Sequence, residues 1–307
     1  MGKLVFVFPG QGSQSEGMGR QMASVYASAA AVYEAADREL GPDFTKLSFE
    51  GPAESLASTE NAQPALFVNS MAVFAVLAEK AIEADVVTGH SLGEYSALSA
   101  SGAVDFIDGL RLVASRGKAM SEATVERPGA MAAILGLEDE RVESICSSSG
   151  EVWPVNYNSP GQLVISGEEA SVERAMHQAE KAGAKKTVRL AVSGSFHSPM
   201  MRSAAGLMKE KLAQVEFQEP SPPFFSSISC EYEGAAGLEE LLVRQMVSPV
   251  LWRQSVERLI DDGADRFLEV GNGKVLSGLI RRINRDVVAV SASDPESLEK
   301  AIGALRV

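Results

Sequence analysis

Residues 85–102 read DVVTGHSLGEYSALSASG. The β-branched run Val86, Val87, Thr88 suits a buried strand, and SLGEYSALSASG suits a helix stopped near Gly102. At the join, Gly89-His90-Ser91-Leu92-Gly93 sets a serine two residues from each of two glycines. A strand-to-helix turn this sharp lifts the serine hydroxyl into a cleft at the strand's C-terminal end, and the glycines avoid clashes with neighbouring backbone. Two readings stand at this point: Ser91 is a nucleophile, or it is a small residue in a tight turn. If it attacks a carbonyl, the Leu92 amide at the helix start points at the developing oxyanion.

Working outward, KLVFVF (3–8) reads as a buried strand of a parallel sheet. The loop PGQGSQSEGMG follows it. Residues 20–40 read as one helix, with Met22, Val25, Tyr26, Ala29, Val32, Tyr33 and Ala36 on one stripe and Gly41-Pro42 as the stop. NAQPALFVNSMAVFAVLAEKA is apolar nearly all round, which predicts a buried helix. Asp105 is placed to cap a further helix, FIDGLRLVASRGKAM. The pattern then changes to strand AMAAILG, helix DERVESICSSS, strands EVWPVNYN and QLVISG, helix SVERAMHQAEKAG and strand KKTVRLAVS. That β-α-β-β-α-β order is the ferredoxin-like arrangement. Helices then alternate with the strands FFSSIS, RFLEVG and VVAVSA. The expected class is α/β: a large parallel-sheet domain from 1–123 and 196–307, interrupted by an inserted small domain, 124–195.

The chain has 307 residues, enough for a substantial core, and a formal net charge of −13. That sign argues against nucleic-acid binding, which needs a basic face. An acidic ligand or partner must instead dock on a local cluster of Lys and Arg. The two cysteines, Cys146 and Cys230, lie far apart with no metal-binding spacing, as expected for reduced thiols in a cytoplasmic protein. The N-terminal apolar run is too short for a membrane span, lacks a signal-peptide cleavage pattern, and has Phe6 where a myristoylation signal needs Ser or Thr.

A serine nucleophile needs a base, and there are three histidines. His90 adjoins the nucleophile but should point away from its Oγ and brace the turn. His177 lies on a solvated helix of the small domain. His197, in SGSFHSPMM, sits where the small domain rejoins the large one, a common place for a cleft, and is the expected general base and acid. No acidic residue stands out as a third member, and a backbone carbonyl could orient the imidazole instead. Pro9-Gly10-Gln11-Gly12-Ser13 is not a dinucleotide fingerprint, because residue 15 is Ser. It is either a plain glycine turn or a loop whose Gln11 amide supplies a second oxyanion donor. Arg116 ends an apolar stripe. It either faces water near a helix C-terminus or grips a carboxylate across a cleft.

Seven ordered, well separated motifs carry a resemblance: FPGQGSQ, GHSLGEYSAL, VASRGKAM, NYNSPGQLVISG, SFHSPMM, QMVSPVLW and EVGNGKVLSGLI. Over nearly the whole chain the sequence resembles the malonyl-CoA:acyl carrier protein transacylase family, with the related acyltransferase domains of polyketide synthases. The resemblance implies an α/β-hydrolase-like large domain with an inserted ferredoxin-like small domain. It implies Ser91 as nucleophile, His197 as base, Gln11 and Leu92 as oxyanion donors, and Arg116 as the partner of the malonyl carboxylate. Gln245 would line the site near a main-chain carbonyl that orients the histidine. Phe196 resembles the malonyl-selecting type, since bulk beside the α-carbon disfavours an α-methyl. Asn272 departs from the family's usual Pro. The implied partners are malonyl-CoA and phosphopantetheinylated acyl carrier protein, with no membrane and no nucleic acid. No cofactor is bound permanently, because the coenzyme A thioester is itself substrate. The basic cluster Arg281, Arg282 and Arg285 is the expected carrier-docking surface. A serine thioesterase or esterase with the same Ser–His pair is the alternative, and a catalytically silent carrier-binding subunit is a second.

Overall fold

The computed structural model describes residues 2–192 and 194–305. In chain order its strands are β1 (Lys3–Phe8), β2 (Val86–Gly89), β3 (Ala130–Leu135), β4 (Val152–Ser159), β5 (Gln162–Gly167), β6 (Lys186–Arg189), β7 (Phe224–Phe225), β8 (Tyr232–Glu233), β9 (Ala264–Val270) and β10 (Val288–Ala292). Two sheets form, ordered β10-β9-β1-β2-β7-β8 and β4-β5-β3-β6. The first is parallel except for its edge pair β7-β8. Its central strand β1 is buried from Leu4 to Phe8, as a strand covered by helices on both faces must be. The second sheet is antiparallel throughout, with the strand order of a β-α-β-β-α-β unit.

Thr59–Glu79 forms one 21-residue helix with Pro64 inside it, in its second turn. It is long and apolar enough to cross a membrane by composition, but 78% of its most apolar window is buried inside the fold. It packs against the helix Phe106–Glu126 so closely that a Cβ on Gly117 would lie 2.9 Å from the Thr59 carbonyl oxygen. Asp105 caps that second helix as expected, its carboxylate accepting from the Ile107 and Asp108 amides.

Four expectations need correction. The helix of residues 20–40 is two helices, Arg20–Val25 and Ala27–Leu40, broken at an extended Tyr26 (φ −116°, ψ 121°). The break turns Val25 out to 61% exposure while Met22, Ala29 and Tyr33 stay buried. The helix from Phe106 runs on to Glu126, past the expected boundary at 123/124, so Arg116 is mid-helix and not at a C-terminus. FFSSIS is strand only at Phe224–Phe225, because Ser226 and Ser227 turn their hydroxyls onto a buried carboxylate. KKTVRLAVS is strand only over Lys186–Arg189; the Leu190 amide still bonds the Met131 carbonyl, Leu190, Ala191 and Val192 line a cleft, and Ser193 lies outside the described residues.

The small sheet is fastened to the large unit along β4. Val250 donates to the Val155 carbonyl (2.8 Å) and accepts from the Tyr157 amide (2.9 Å). Arg253 pairs with Asp139 at 2.9 Å, and Arg282 donates to Gln162 Oε1 at 2.8 Å.

Candidate active site

Ser91 has φ 55°, the left-handed region that non-glycine residues occupy only when their surroundings enforce it. The two glycines explain the enforcement. A Cβ on Gly89 would lie 2.0 Å from the Gly93 carbonyl carbon, and one on Gly93 would lie 2.0 Å from the Phe8 carbonyl oxygen. Helix Gly93–Ala100 therefore starts hard against β1, with Ser91 at the top of the turn.

Ser91 Oγ lies 2.6 Å from His197 Nε2. His197 Nδ1 donates to the carbonyl oxygens of Gln245 (3.0 Å) and Ser248 (3.1 Å). Carbonyls only accept, so the ring proton sits on Nδ1 and Nε2 is the bare acceptor facing the serine. The backbone-carbonyl arrangement foreseen for the histidine is the one present. His197 is also buried at a positive φ of 59°. Burial, then the Arg116 charge and His90, hold its basicity down to about 3, so the imidazole is neutral at ordinary pH.

Arg116 is 1% exposed. Its Nη1 donates to Gln63 Oε1 (2.7 Å), and its Nη2 donates to Gln245 Oε1 (3.0 Å) and to Ser91 Oγ (3.1 Å). Of its two readings, the solvated one is excluded, and a guanidinium stands at the nucleophile. The Tyr95 ring lies 5.6 Å from its centre. Gln245 Nε2 donates to the Ser91 carbonyl (3.0 Å) and to Glu94 Oε2 (2.6 Å). Glu94 is fully buried, and burial pushes its carboxyl above the usual range.

Gln11 and Leu92 flank Ser91 on two different loops. Among the described residues neither amide donates to a backbone partner. The Gln11 side chain is tethered to Thr59 (3.1 Å). Asn272 Nδ2 donates to the Ser13 carbonyl (2.5 Å) and to Ser15 Oγ (2.9 Å), so Asn272 holds the loop carrying Gln11.

The cleft has a volume of about 440 Å³. Gln11, Ser91, Arg116, Phe196 and His197 line it, facing Met120, Met131, Leu190 and Val192. Phe196 is seated because Gly194 is bare: a Cβ there would fall 2.3 Å from the ring. His90 turns away from Oγ as expected, with Nε2 3.0 Å from Asn158 Oδ1 and its ring against Trp252. His177 is on the exposed face of helix Glu169–Lys181, paired with Glu180. Arg281, Arg282 and Arg285 are exposed, and the first two are engaged with Ala289 and Gln162. Among the described residues no group of three His, Cys, Asp or Glu is placed to hold a metal ion.

Sequence reasoning missed Glu94, Gln63 and the wall Met120, Met131, Leu190 and Val192. Only Glu94 carried a signal, as a carboxylate in the first turn of a helix otherwise apolar enough to be buried.

A strained serine elbow, a neutral histidine oriented by carbonyls and a buried arginine at the nucleophile define a Ser–His acyl-transfer site on an α/β frame. The chain belongs to the acyl transferase domain family, which matches residues 5–296. It is 42% identical over 311 residues to the malonyl CoA-acyl carrier protein transacylase of Bacillus subtilis (strain 168), covering 100% of this chain and 98% of that one. The acyl-carrier-protein-S-malonyltransferase of Bartonella henselae superposes with a TM-score of 0.95 at 41% identity, over all of both chains. A malonyl-transacylase solved in complex with a type II PKS acyl-carrier protein also superposes at 0.95, with 40% identity over 98% of this chain and 99% of that one.

Proposed function

We propose that the chain moves a malonyl group from malonyl-CoA to the phosphopantetheine thiol of acyl carrier protein through a malonyl-Ser91 intermediate. The observation that carries the reading is Arg116, a buried guanidinium 3.1 Å from Ser91 Oγ. An acyl group bound for Ser91 meets a fixed cation one or two atoms beyond its carbonyl. That suits an acyl chain ending in a carboxylate and has no use for a plain ester. The names of the relatives agree with it.

His197 Nε2 takes the Ser91 proton as Oγ attacks the thioester carbon. The amides of Gln11 and Leu92 receive the oxyanion. His197 then protonates the departing coenzyme A sulfur, leaving malonyl-Ser91. The carrier thiol enters, gives its proton to His197 and attacks the same carbon. Ser91 leaves as alkoxide and recovers that proton. A carboxylate on Arg116 also offsets the charge that depresses His197, so the correct substrate strengthens its own base. Phe196 lines the same cleft, and its bulk beside the α-carbon would favour malonyl over methylmalonyl by about 1–3 kcal/mol. Coenzyme A is substrate, with no resident cofactor in this scheme.

Residues 1–123 and 196–307 act here as the catalytic unit and 124–195 as the inserted one, with the first junction moved past Glu126, where the helix Phe106–Glu126 ends. Arg281, Arg282 and Arg285 offer the acidic carrier a cationic footing. A cytoplasmic location goes with two free thiols, Cys146 and Cys230.

The test is acylation of the intact protein by malonyl-CoA and acetyl-CoA, read by mass, followed by transfer to carrier protein with hydrolysis measured alongside. The wild type is expected to gain one malonyl on Ser91 and to pass it to the carrier faster than to water. Arg116→Ala should lower malonyl loading about 100-fold while acetyl loading is kept. Equal loading of both acyl groups by the wild type, or release mainly to water, identifies a serine thioesterase instead.

A further inference from the structure

We propose that Glu94 is a positioning residue for acyl-group selection: a buried carboxyl group that fixes the Gln245 carboxamide, and through it aims the Arg116 guanidinium without pairing with it. The inference rests on the malonyl reading above and deepens it. Glu94 lies under the elbow, fully buried, three residues after the nucleophile. Its Oε1 accepts from the Ser227 amide (2.6 Å) and from Ser226 Oγ (2.9 Å), with Ser227 Oγ at 3.0 Å. Its Oε2 accepts from Gln245 Nε2 at 2.6 Å. Ser226 Oγ is itself an acceptor for the Ile228 amide, so its proton points to Glu94. Three donors, the Ser227 amide, Ser226 Oγ and Gln245 Nε2, thus face the carboxyl, while Ser227 Oγ also has the Gly89 carbonyl as an acceptor at 2.9 Å. The first turn of helix Gly93–Ala100 adds its positive end.

Gln245 passes this order on. Its Nε2 faces Glu94 and the Ser91 carbonyl, so its Oε1 faces Arg116 Nη2. Glu94 thus acts on a buried arginine at one residue's remove. A carboxylate in direct contact would occupy the guanidinium and compete with the acyl carboxylate. Placed behind Gln245, it leaves Arg116 free to receive that group. Arg116 Nε has no partner among the described residues, so the guanidinium's orientation rests on the two glutamines and Ser91 Oγ.

The discriminating variant is Glu94→Gln, which keeps the size and turns the carboxyl into an amide. Its amide must aim NH2 either at the Ser226 and Ser227 donors or at Gln245, and the second choice flips Gln245 against Arg116. Initial rates of Ser91 acylation by malonyl-CoA and by acetyl-CoA are measured in the wild type, Glu94→Gln and Glu94→Asp. The malonyl-to-acetyl ratio should fall about tenfold or more in Glu94→Gln, with acetyl loading within about threefold of wild type, and fall less in Glu94→Asp. A purely structural role lowers both rates together. An unchanged ratio in Glu94→Gln overturns the proposal while leaving the malonyl reading intact. A wild type without malonyl preference overturns both. Should Glu94→Gln fail to fold, Ser226→Ala, which removes one donor to the carboxylate, is expected to lower the ratio about threefold, and an unchanged ratio there overturns the proposal equally.

Discussion

Strand β2 delivers Ser91 to the cleft on a backbone that few residues could follow, whereas the small sheet and its trailing segment deliver Met131, Leu190 and Val192 as an apolar wall. The β2 side is tight and polar: two glycines in backbone contact, a positive φ at the nucleophile, and Glu94, Gln245, Gln63 and Arg116 joined beneath it. The opposite side has side chains that can shift. Reacting atoms need fixed geometry to a few tenths of an ångström, while a wall need only exclude water and bulk. Buried charge is accordingly concentrated at the side that does chemistry, where Glu94, Gln245, Gln63 and Arg116 hold one another by hydrogen bonds.

The comparison predicts opposite responses to one added or removed carbon. Gly93→Ala drives a methyl to within 2.0 Å of the Phe8 carbonyl oxygen, so β1 and the elbow must separate. We expect a loss of about 3 kcal/mol or more in stability and undetectable acylation. Val192→Ala, on the half-buried wall, should cost under about 1 kcal/mol and leave acylation within about threefold. Urea unfolding midpoints and acylation rates for the pair decide it. Comparable losses in the two variants would remove the distinction.

Acid provides a second way to sharpen it, because the buried His197 and the half-buried His90 both stand on the elbow side. His197 is held down to about 3, and His90 is also lowered, by burial first. An unfolded histidine titrates near 6.5, so below that pH the unfolded chain binds protons that the folded site refuses. For His197 the contribution is fully present above about pH 6.5 and is lost as pH falls toward 3, by up to about 1.4 kcal/mol per unit, and His90 acts in the same direction. Glu94 and Glu269, whose carboxyls are raised by burial, act in the opposite direction and gain stability as pH falls. The difference between wild type and His197→Gln isolates the histidine: the melting temperature of the variant should decline less between pH 7 and 5. Parallel curves would show that His197 protonates in the fold.

The wall was less legible in the sequence than the elbow, and the reason is the range of the forces. Gly89, Ser91 and Gly93 act on atoms within a few residues or on one neighbouring strand, so the motif carries its own geometry. His197 was legible because a loop histidine at a junction has few other uses. Arg116 was half legible: its place on an apolar stripe was visible, but only packing against Thr59–Glu79 decides that the stripe borders a cleft. FFSSIS reads as strand, yet Ser226 and Ser227 leave the sheet for Glu94, a partner more than 130 residues away. Leu190 and Val192 have strand-like composition and become wall because the pairing with β3 ends at the Leu190 amide, which bonds the Met131 carbonyl.

The smallest predicted effect concerns the outer surface, where the same contrast between fixed and free groups recurs within three arginines. Arg281 donates to the Ala289 carbonyl and Arg282 to Gln162, so each holds part of the fold, Arg282 across the junction to the small sheet. Arg285 is exposed, with no hydrogen bond or ion pair to a described residue, and its charge is available to a partner. On a chain of net charge −13, an acidic carrier protein approaches against repulsion and gains from any local cation. Arg285→Glu should raise the KM for carrier protein about two- to fivefold at low salt, leave Ser91 acylation by malonyl-CoA unchanged, and lose its effect as salt rises. Arg282→Glu should combine a similar KM change with a lower melting temperature, because it also breaks the bond to Gln162. A KM that ignores both reversals would move the docking surface away from this helix.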